Sequence, residues 1–216
     1  MTQSERIMRG GLLFLLAASV ASSIGGLPFN TLPILLGAFA DRLAAWLRHV
    51  APTGDVEVWT STLGRAIETC ASLGTEARVT RALDEIDAGV CDGMTYEQIR
   101  RELPDEYAAR TANKLRYRYP RGESYLDVVR RLDPIVLELE RQRQPVLIVG
   151  HNAVIRALYA YFMNIPRERL PHVPIPLHTV LELVPTAYGC EERRHDIGPD
   201  TAHPDTGMSV APPVVG

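Results

Sequence analysis

Four consecutive apolar residues, Val146-Leu147-Ile148-Val149, restrict the possible folds of this chain more than any other feature. Pro145 precedes the run and Gly150 ends it, so its length fits a strand and is too short for a helix. A strand without polar positions is buried on both faces, as strands in parallel sheets are. Parallel strands need crossover helices, which cover the faces of the sheet. The run therefore predicts an α/β fold.

The rest of the chain shows alternating strand and helix patterns. Thr95 and Gln98 have the spacing of a capping box and predict a helix that Pro104 ends, and residues 110–122 have no helical period and are predicted as a loop. Other predicted helices cover residues 38–50, 63–73, 125–139 and 152–163, and other predicted strands cover residues 56–59, 179–184 and 190–197. We therefore expect a three-layer sandwich with a mostly parallel central sheet.

The composition excludes several classes of protein. The 216 residues are 46% hydrophobic and 23% charged, unlike a disordered or collagen-like chain, and the net charge of −3 gives no reason to expect a nucleic-acid partner. Cys70, Cys91 and Cys190 are too few and too scattered for a disulfide framework or a zinc site. His172, His178 and Cys190 lack the spacing of metal ligands, and we expect neither a metal nor a cofactor. Lys114 is the single lysine and follows Asn113, which excludes a P-loop kinase domain.

Residues 1–37 allow three interpretations. Two arginines precede an apolar run, which is the layout of a secretory signal in residues 6–21. Glycines from Gly25 onward end the run too early for a membrane span, so we expect no membrane partner. Alternatively, residues 12–16 form a buried strand, or the segment is an altered start produced by a misassigned exon. The main domain is predicted to cover residues 38–197 and to be followed by a disordered tail, residues 198–216.

Two predicted strand-to-helix junctions carry residues suited to phosphate. Ligands of open α/β sheets bind at the carboxyl ends of strands. Arg65 and Arg156 lie near the N-termini of the helices that follow, where free amides favour anions. His151 directly follows the buried strand, and its imidazole can donate to a phosphoryl oxygen or move a proton. For an isolated histidine, a structural capping role is the more common alternative.

A carboxylate cluster and a basic segment lie between these junctions. Glu85 is flanked by Asp84 and Asp87, and repulsion among the three is expected to raise one pKa toward general-acid use, although solvated loop acids are as good an interpretation. Five cations without an acid follow: Arg110, Lys114, Arg116, Arg118 and Arg121. Because a solvated face normally mixes signs, this segment predicts a small polyanionic ligand.

Most of these residues lie in longer segments that resemble the bisphosphatase domain of the bifunctional 6-phosphofructo-2-kinase/fructose-2,6-bisphosphatases. That family consists of histidine phosphatases with the phosphoglycerate mutase-like fold. The matching segments are VWTSTLGRAIETCASLG, ALDEIDAGVCDGMTYEQI, YRYPRGESYLDVVRRLDPIVLELERQ and VLIVGHNAVIRALYAYF. The resemblance implies that fold, a cytoplasmic location, and fructose 2,6-bisphosphate or a related sugar phosphate as ligand.

The resemblance also implies roles for individual residues. Arg65 matches the arginine that clamps the transferring 2-phosphoryl group, Glu85 the acid that protonates the leaving sugar oxygen, and His151 the histidine that stabilises the phosphoryl group in the transition state. The positions implied to bind the substrate are Tyr96, Arg110, Lys114, Tyr125, Asn152 and Arg156. Asn152 stands where the family more often has glutamine, so its amide has a shorter reach.

One motif of the family is missing. Its reaction proceeds through a phosphohistidine in an Arg-His-Gly motif that follows the first strand. The first histidine of this chain is His49, in Arg48-His49-Val50 at the end of a predicted helix. We therefore expect residues 1–37 either to lack the first central strand or to form it without a histidine at its end.

Three interpretations of function follow. The first is an enzyme of fructose 2,6-bisphosphate hydrolysis whose N-terminus is altered or misassigned here, so that the chain as written is catalytically impaired, because covalent catalysis needs its nucleophile. The second is a non-catalytic sugar-phosphate-binding relative. The third is a secreted histidine phosphatase that acts on other phosphomonoesters, if residues 6–21 act as a signal peptide. The first two place the protein in the cytoplasm and differ only in whether a nucleophile is present.

Overall fold

The computed structural model describes residues 14–18, 32–52, 54–186 and 189–198. The strands within these residues are β1 Phe14–Ala18, β2 Glu57–Thr60, β3 Ala77–Val79, β4 Val146–Gly150, β5 Thr179–Thr186 and β6 Gly189–Asp196. The helices are α1 Leu32–Val50, α2 Gly64–Ala71, α3 Tyr96–Glu102, α4 Pro104–Ala112, α5 Tyr125–Arg141 and α6 Asn152–Phe162. Short 3-10 turns lie at Arg81–Leu83, Gly89–Cys91 and Leu170–His172.

The six strands form one sheet in the order β3-β2-β4-β1-β5-β6. Strands β3, β2, β4 and β1 are mutually parallel, β5 is antiparallel to β1, and β6 is antiparallel to β5. This confirms the mostly parallel central sheet expected from the sequence. The carboxyl ends of β1, β2 and β4 therefore meet at one edge of the sheet, where a ligand site is expected.

Strand β1 comes from the segment that precedes residue 38. It lies between β4 and β5, with Leu16 paired to both Ile148 and Leu181. The structure thus matches the strand interpretation of this segment, two residues further along the chain than expected. No histidine precedes His49, so the central strand is present without a histidine at its end.

Apolar side chains of β4 alternate between two cores and hold a helical layer on each face. Leu147 and Val149 pack in the cluster that contains Phe39 and Leu43 of α1. Val146 and Ile148 pack in the other cluster, which contains side chains of α5 and α6. All four β4 side chains are fully buried, and each such burial stabilises the fold by about 1.5–3 kcal/mol. The result is the three-layer sandwich predicted from this run.

The helix boundaries around Pro104 differ from the prediction. The capping box of α3 is present, because Gln98 N donates to Thr95 Oγ1 at 3.1 Å and Thr95 N to Gln98 Oε1 at 2.7 Å. Pro104 then starts α4, which continues to Ala112, so the loop predicted for residues 110–122 begins only at residue 113. Proline is suited to the first helical position, where its missing N–H has no partner to lose.

Two other predictions concern the ends of the chain. The predicted tail, residues 198–216, lies outside the described residues except for Gly198. Among the helices that the structure describes, none is long and apolar enough to cross a membrane.

Candidate active site

Adjacent strand ends bring Ser61 and His151 together. β2 and β4 are parallel neighbours with Thr60 opposite Val149, so the residues that follow them lie side by side. Ser61 Oγ is 2.7 Å from His151 Nε2, and both residues are buried, with at most 1% of their surface exposed. From α2, one turn away, Arg65 Nη2 reaches His151 Nδ1 at 3.1 Å. The predicted pair Arg65 and His151 is therefore in direct contact.

The contacts of His151 define its protonation state. A guanidinium only donates hydrogen bonds, so Nδ1 must accept from Arg65, and the ring proton then lies on Nε2 and is donated to Ser61 Oγ. Burial first, then the charges of Arg65 and Arg131, lower the pKa of His151 to about 3. His151 is therefore a neutral imidazole that leaves its Nδ1 side, together with Arg65, at the edge of the sheet.

This depressed pKa predicts a pH-dependent stability. As the pH falls from 6.5 toward 3, the unfolded chain takes up a proton at position 151 that the folded chain does not bind. The free energy of unfolding should therefore decrease in this window, by up to about 1.4 kcal/mol per pH unit from this group. Urea denaturation at several pH values measures the slope. His151→Gln should show a smaller slope, and equal slopes in the two proteins would contradict the assignment.

Glu85 is half-buried at the N-terminus of α6. Its Oε1 accepts hydrogen bonds from Ile86 N at 2.9 Å and from Ala153 N at 3.1 Å. Burial raises the pKa of Glu85, and these two bonds and the charges of Arg65 and Arg131 oppose the increase. The direction agrees with the expectation of a general acid, but the cause is burial and not the expected repulsion by neighbouring aspartates.

All six predicted substrate-binding residues line one cavity of about 280 Å³. Arg110 donates from Nη2 to Tyr96 OH at 2.8 Å and from Nε to Tyr119 OH at 2.7 Å. Its guanidinium also lies 4.5 Å from the centre of the Tyr96 ring. The predicted residues in the wall of this cavity are Glu85, Tyr96, Arg110, Lys114, Tyr125, Asn152 and Arg156.

Two more cations complete this cavity. Lys114 Nζ donates to Pro171 O at 2.8 Å, and burial followed by repulsion from Arg156 and Arg110 lowers its pKa to about 8. Arg156 donates from Nε to Val173 O at 2.7 Å and from Nη1 to Tyr125 OH at 3.1 Å. Three cations that repel one another in a single cavity are typical of a site that binds a polyanion, because the ligand's negative charge offsets the repulsion.

A second cavity, of about 600 Å³, lies on the other side of Glu85 and includes Arg65 in its wall. Glu85, Ile86 and Ala88 are common to both cavities. Two site atoms are buried without a hydrogen-bond partner among the described residues, Arg65 Nε and Asn152 Oδ1. The site thus has an Arg65–His151 end and an Arg110–Lys114–Arg156 end, with Glu85 between them.

Not all of the basic segment reaches the site. Arg118 pairs with Asp127 at 2.5 Å, and Arg116 and Arg121 are exposed and absent from the walls of both cavities. Only Arg110 and Lys114 of the five cations line the first cavity. The run of five cations in the sequence therefore predicted more ligand-binding residues than the cavity wall contains.

The model of the histidine phosphatase superfamily, branch 1, matches residues 38–197. This range contains every site residue described above. The chain is a histidine phosphatase superfamily member.

Curated relatives of this histidine phosphatase agree with the resemblance seen in its segments. It is 48% identical over 161 residues to a 6-phosphofructo-2-kinase/fructose-2,6-bisphosphatase of Arabidopsis thaliana, covering 74% of this chain and 22% of the relative. It is 51% identical over 151 residues to a fructose-2,6-bisphosphatase of Saccharomyces cerevisiae, covering 70% of this chain and 33% of the relative. The histidine phosphatase chain thus matches a third or less of the length of these relatives.

Solved structures support the fold. An alpha-ribazole phosphatase from Shigella flexneri matches with a TM-score of 0.66 at 18% identity, covering 84% of this chain and 94% of that one. A mycobacterial glucosyl-3-phosphoglycerate phosphatase matches with a TM-score of 0.62 at 24% identity, covering 86% and 96%. These likenesses show that the histidine phosphatase has the phosphoglycerate mutase-like fold.

Three residues of the candidate site were not singled out from the sequence. Ser61 is hydrogen-bonded to His151, and Tyr119 accepts a hydrogen bond from Arg110. Arg131 donates to the backbone carbonyls of Ala82 and Asp84, which precede Glu85. Ser61 follows the strand end in the same way as His151, and that shared position was the available signal. Arg131 lies in the middle of α5, where nothing in the periodic pattern separates it from a surface arginine.

Proposed function

We propose that this chain is a fructose-2,6-bisphosphatase-like domain that binds fructose 2,6-bisphosphate or a related sugar phosphate, with impaired hydrolysis. The observation that carries the proposal is the two-ended site, in which Glu85 separates an arginine–histidine pair from a cavity with three cations. A bisphosphorylated sugar presents two phosphates to such a site. The names and identities of the curated relatives support the same ligand.

The proposed mechanism assigns the 2-phosphate to the Arg65–His151 end. The Arg65 guanidinium matches phosphoryl oxygens with two parallel N–H bonds. Burial raises the pKa of Glu85, and its position between the two ends suits it to protonate the leaving O2 of the sugar once a nucleophile attacks phosphorus. This chain offers no histidine for that attack at the end of β1, so O2 is not expected to leave at an enzyme-like rate. The Nδ1 lone pair of neutral His151 already accepts from Arg65, so a phosphoryl oxygen can bind His151 only if Arg65 turns from the ring toward the phosphate and a proton lies on Nδ1 or on that oxygen.

The 6-phosphate is assigned to the other end. Arg110, Lys114 and Arg156 supply positive charge, while the rings of Tyr96 and Tyr125 bound the sugar between the two phosphates. A sugar monophosphate or inorganic phosphate would engage only one end. The discrimination between one and two phosphates is therefore the property of the site that tests the proposal.

The impairment is proposed from the sequence at the end of β1. No histidine lies between Ala18 and Arg48, so the covalent step of the family has no attacking imidazole at the expected position. The remaining groups bind and polarise the phosphoryl group without forming a bond to it. We also propose a cytoplasmic location, which suits the three cysteines that the structure shows as free thiols.

Removing Arg110 and Lys114 from the wall of the first cavity should weaken binding of the bisphosphate much more than binding of phosphate. Each charge-assisted contact contributes about 1.5–3 kcal/mol, so Arg110→Met with Lys114→Met should lower the affinity for fructose 2,6-bisphosphate by about 100-fold or more. The affinity for inorganic phosphate is expected to change by less than about threefold, because phosphate keeps the Arg65 end as a binding site in this variant. Isothermal titration calorimetry measures both affinities.

The matched control is Arg116→Met with Arg121→Met. It removes the same charge from the same segment, at exposed positions outside both cavities. This double variant should keep the preference for the bisphosphate. Equal losses for both ligands in the first double variant, or the same loss in the control, would show that the segment acts only as a general positive field and would refute the proposed ligand.

A further inference from the structure

Arg131 makes an unusually complete set of contacts beneath the segment that carries Glu85. Its Nη1 donates to Ala82 O at 2.6 Å, and its Nη2 to Asp84 O at 2.6 Å and to Glu85 O at 3.3 Å. Its Nε and Nη2 also donate to the two carboxylate oxygens of Glu123, at 2.8 and 3.2 Å. One side chain of α5 thus donates to three backbone carbonyls of the segment that leads to Glu85 and to one carboxylate.

Glu123 extends this contact to the other side of Glu85. Its Oε2 accepts from Asp87 N at 3.0 Å, and its backbone N donates to Asp87 O at 2.8 Å. The backbone is therefore held before Glu85 by Arg131 and after it by Glu123. Because both ends of this short segment are held, the direction of the Glu85 side chain is restricted.

The restriction continues to the Glu85 carboxylate. Its Oε1 receives bonds from Ile86 N and from Ala153 N, and Ala153 lies in the first turn of α6. Burial of the carboxylate raises its pKa, and the nearby charge of Arg131 works in the opposite direction. Arg131 therefore acts on Glu85 both through backbone geometry and through charge.

We propose that Arg131, paired with Glu123, is a positioning residue that fixes Glu85 between the two ends of the site. The proposal rests on the acid role proposed for Glu85 above. A planar guanidinium with five N–H groups can reach carbonyls and a carboxylate at once, whereas a lysine ammonium carries a similar charge without this fork. Arg131→Lys therefore separates geometry from charge, and Arg131→Met removes both.

The test follows two backbone amides and one carboxyl group by NMR in the full chain. The Asp87 amide reports the hydrogen bond to Glu123, and the Ala153 amide reports the hydrogen bond to the Glu85 carboxylate. The hydrogen exchange of both amides should become about tenfold faster or more in both variants. The titration midpoint of Glu85, assigned with Glu85→Gln, should rise by about half a pH unit or more in Arg131→Met and by less in Arg131→Lys.

Arg130→Met is the matched control. Arg130 is the exposed neighbour on α5 and lies 3.6 Å from Asp127, and it has no contact with the Glu85 segment among the described hydrogen bonds. A purely structural role of Arg131 would lower the free energy of unfolding without moving the Glu85 midpoint. Unchanged exchange at Ala153 and an unchanged midpoint in Arg131→Met would overturn the proposal, as would equal changes in Arg130→Met.

Two further outcomes are decisive. If Arg131→Met does not fold, the exchange rates in Arg131→Lys decide alone, and protection of Asp87 and Ala153 equal to that of the unaltered chain overturns the proposal. Failure of the proposed function is distinguished by calorimetry on the unaltered chain. If the unaltered chain shows no preference for the bisphosphate, the proposed ligand is wrong. The exchange rates and the Glu85 midpoint would still show whether Arg131 positions Glu85.

Discussion

Fructose 2,6-bisphosphate incubated with this chain is expected to lose its 2-phosphate at least about a thousandfold more slowly than with the yeast relative. Arg65, Glu85 and His151 are in place, but members of a catalytic unit lose most of their effect when the nucleophile is missing. Release of labelled phosphate measures the rate. Intact mass and analysis of base-stable phosphate measure the phosphohistidine intermediate.

The yeast fructose-2,6-bisphosphatase, assayed in parallel, shows that the conditions detect the reaction. The chain described here should form no phosphohistidine. Turnover at a rate like that of the yeast protein would contradict the prediction. The nucleophile would then have to be sought by mass mapping and by asparagine substitution of His49, His151, His172 and His178 in turn.

Gly89→Ala is expected to cost about 3 kcal/mol or more of unfolding free energy, or to prevent folding. The residue has a φ of +53°, and an added Cβ would lie 2.1 Å from Pro120 O and 2.8 Å from Gly122 N. The turn at Gly89 packs directly on the segment that leads to Glu123, and neither backbone can move without disturbing the Glu85 segment. Urea denaturation measures the loss.

Two glycines separate the contributions to this cost. Gly93 also has a positive φ, of +76°, but an added Cβ there would meet nothing within 4 Å, so Gly93→Ala should cost only about 1 kcal/mol. Gly64, in the first turn of α2, is likewise open and has no positive φ, and Gly64→Ala should be neutral or slightly stabilising. A loss in Gly89→Ala no greater than that in Gly93→Ala would show that the close approach is relaxed.

The sheet and its layers could be predicted because burial leaves a mark on local sequence. The run Val146-Leu147-Ile148-Val149 has no polar position, and the structure buries it between two helical layers. The cap of α3 could also be predicted from local sequence, because Thr95 and Gln98 are three residues apart and each side chain accepts from the other's backbone N–H. Strand β1 had no such marks, because five apolar residues fit a strand and a signal segment equally well.

The sequence predicted which residues lie together in the candidate site, but not what causes their pKa shifts. The resemblance supplied Arg65, Glu85 and His151, and the fold brings them to the same edge of the sheet. Burial, not the charge of neighbouring aspartates, raises the pKa of Glu85, and burial depends on packing that sequence spacing does not express. The role of Arg131 depends on carbonyls about 45 residues earlier in the chain, which no local pattern indicates.

The place of β1 in the sheet has a consequence for the order in which the chain folds. Phe14 pairs with Val146 on one side and with Leu183 on the other, so this strand has partners only among residues that lie far later in the chain. Until those residues are synthesised, the backbone N–H and C=O groups of this apolar segment are expected to have no strand partner, and contacts so distant in sequence form slowly. A nascent chain that stops before residue 146 would keep this strand exposed and prone to aggregation, which makes complete synthesis a condition for solubility as well as for the site.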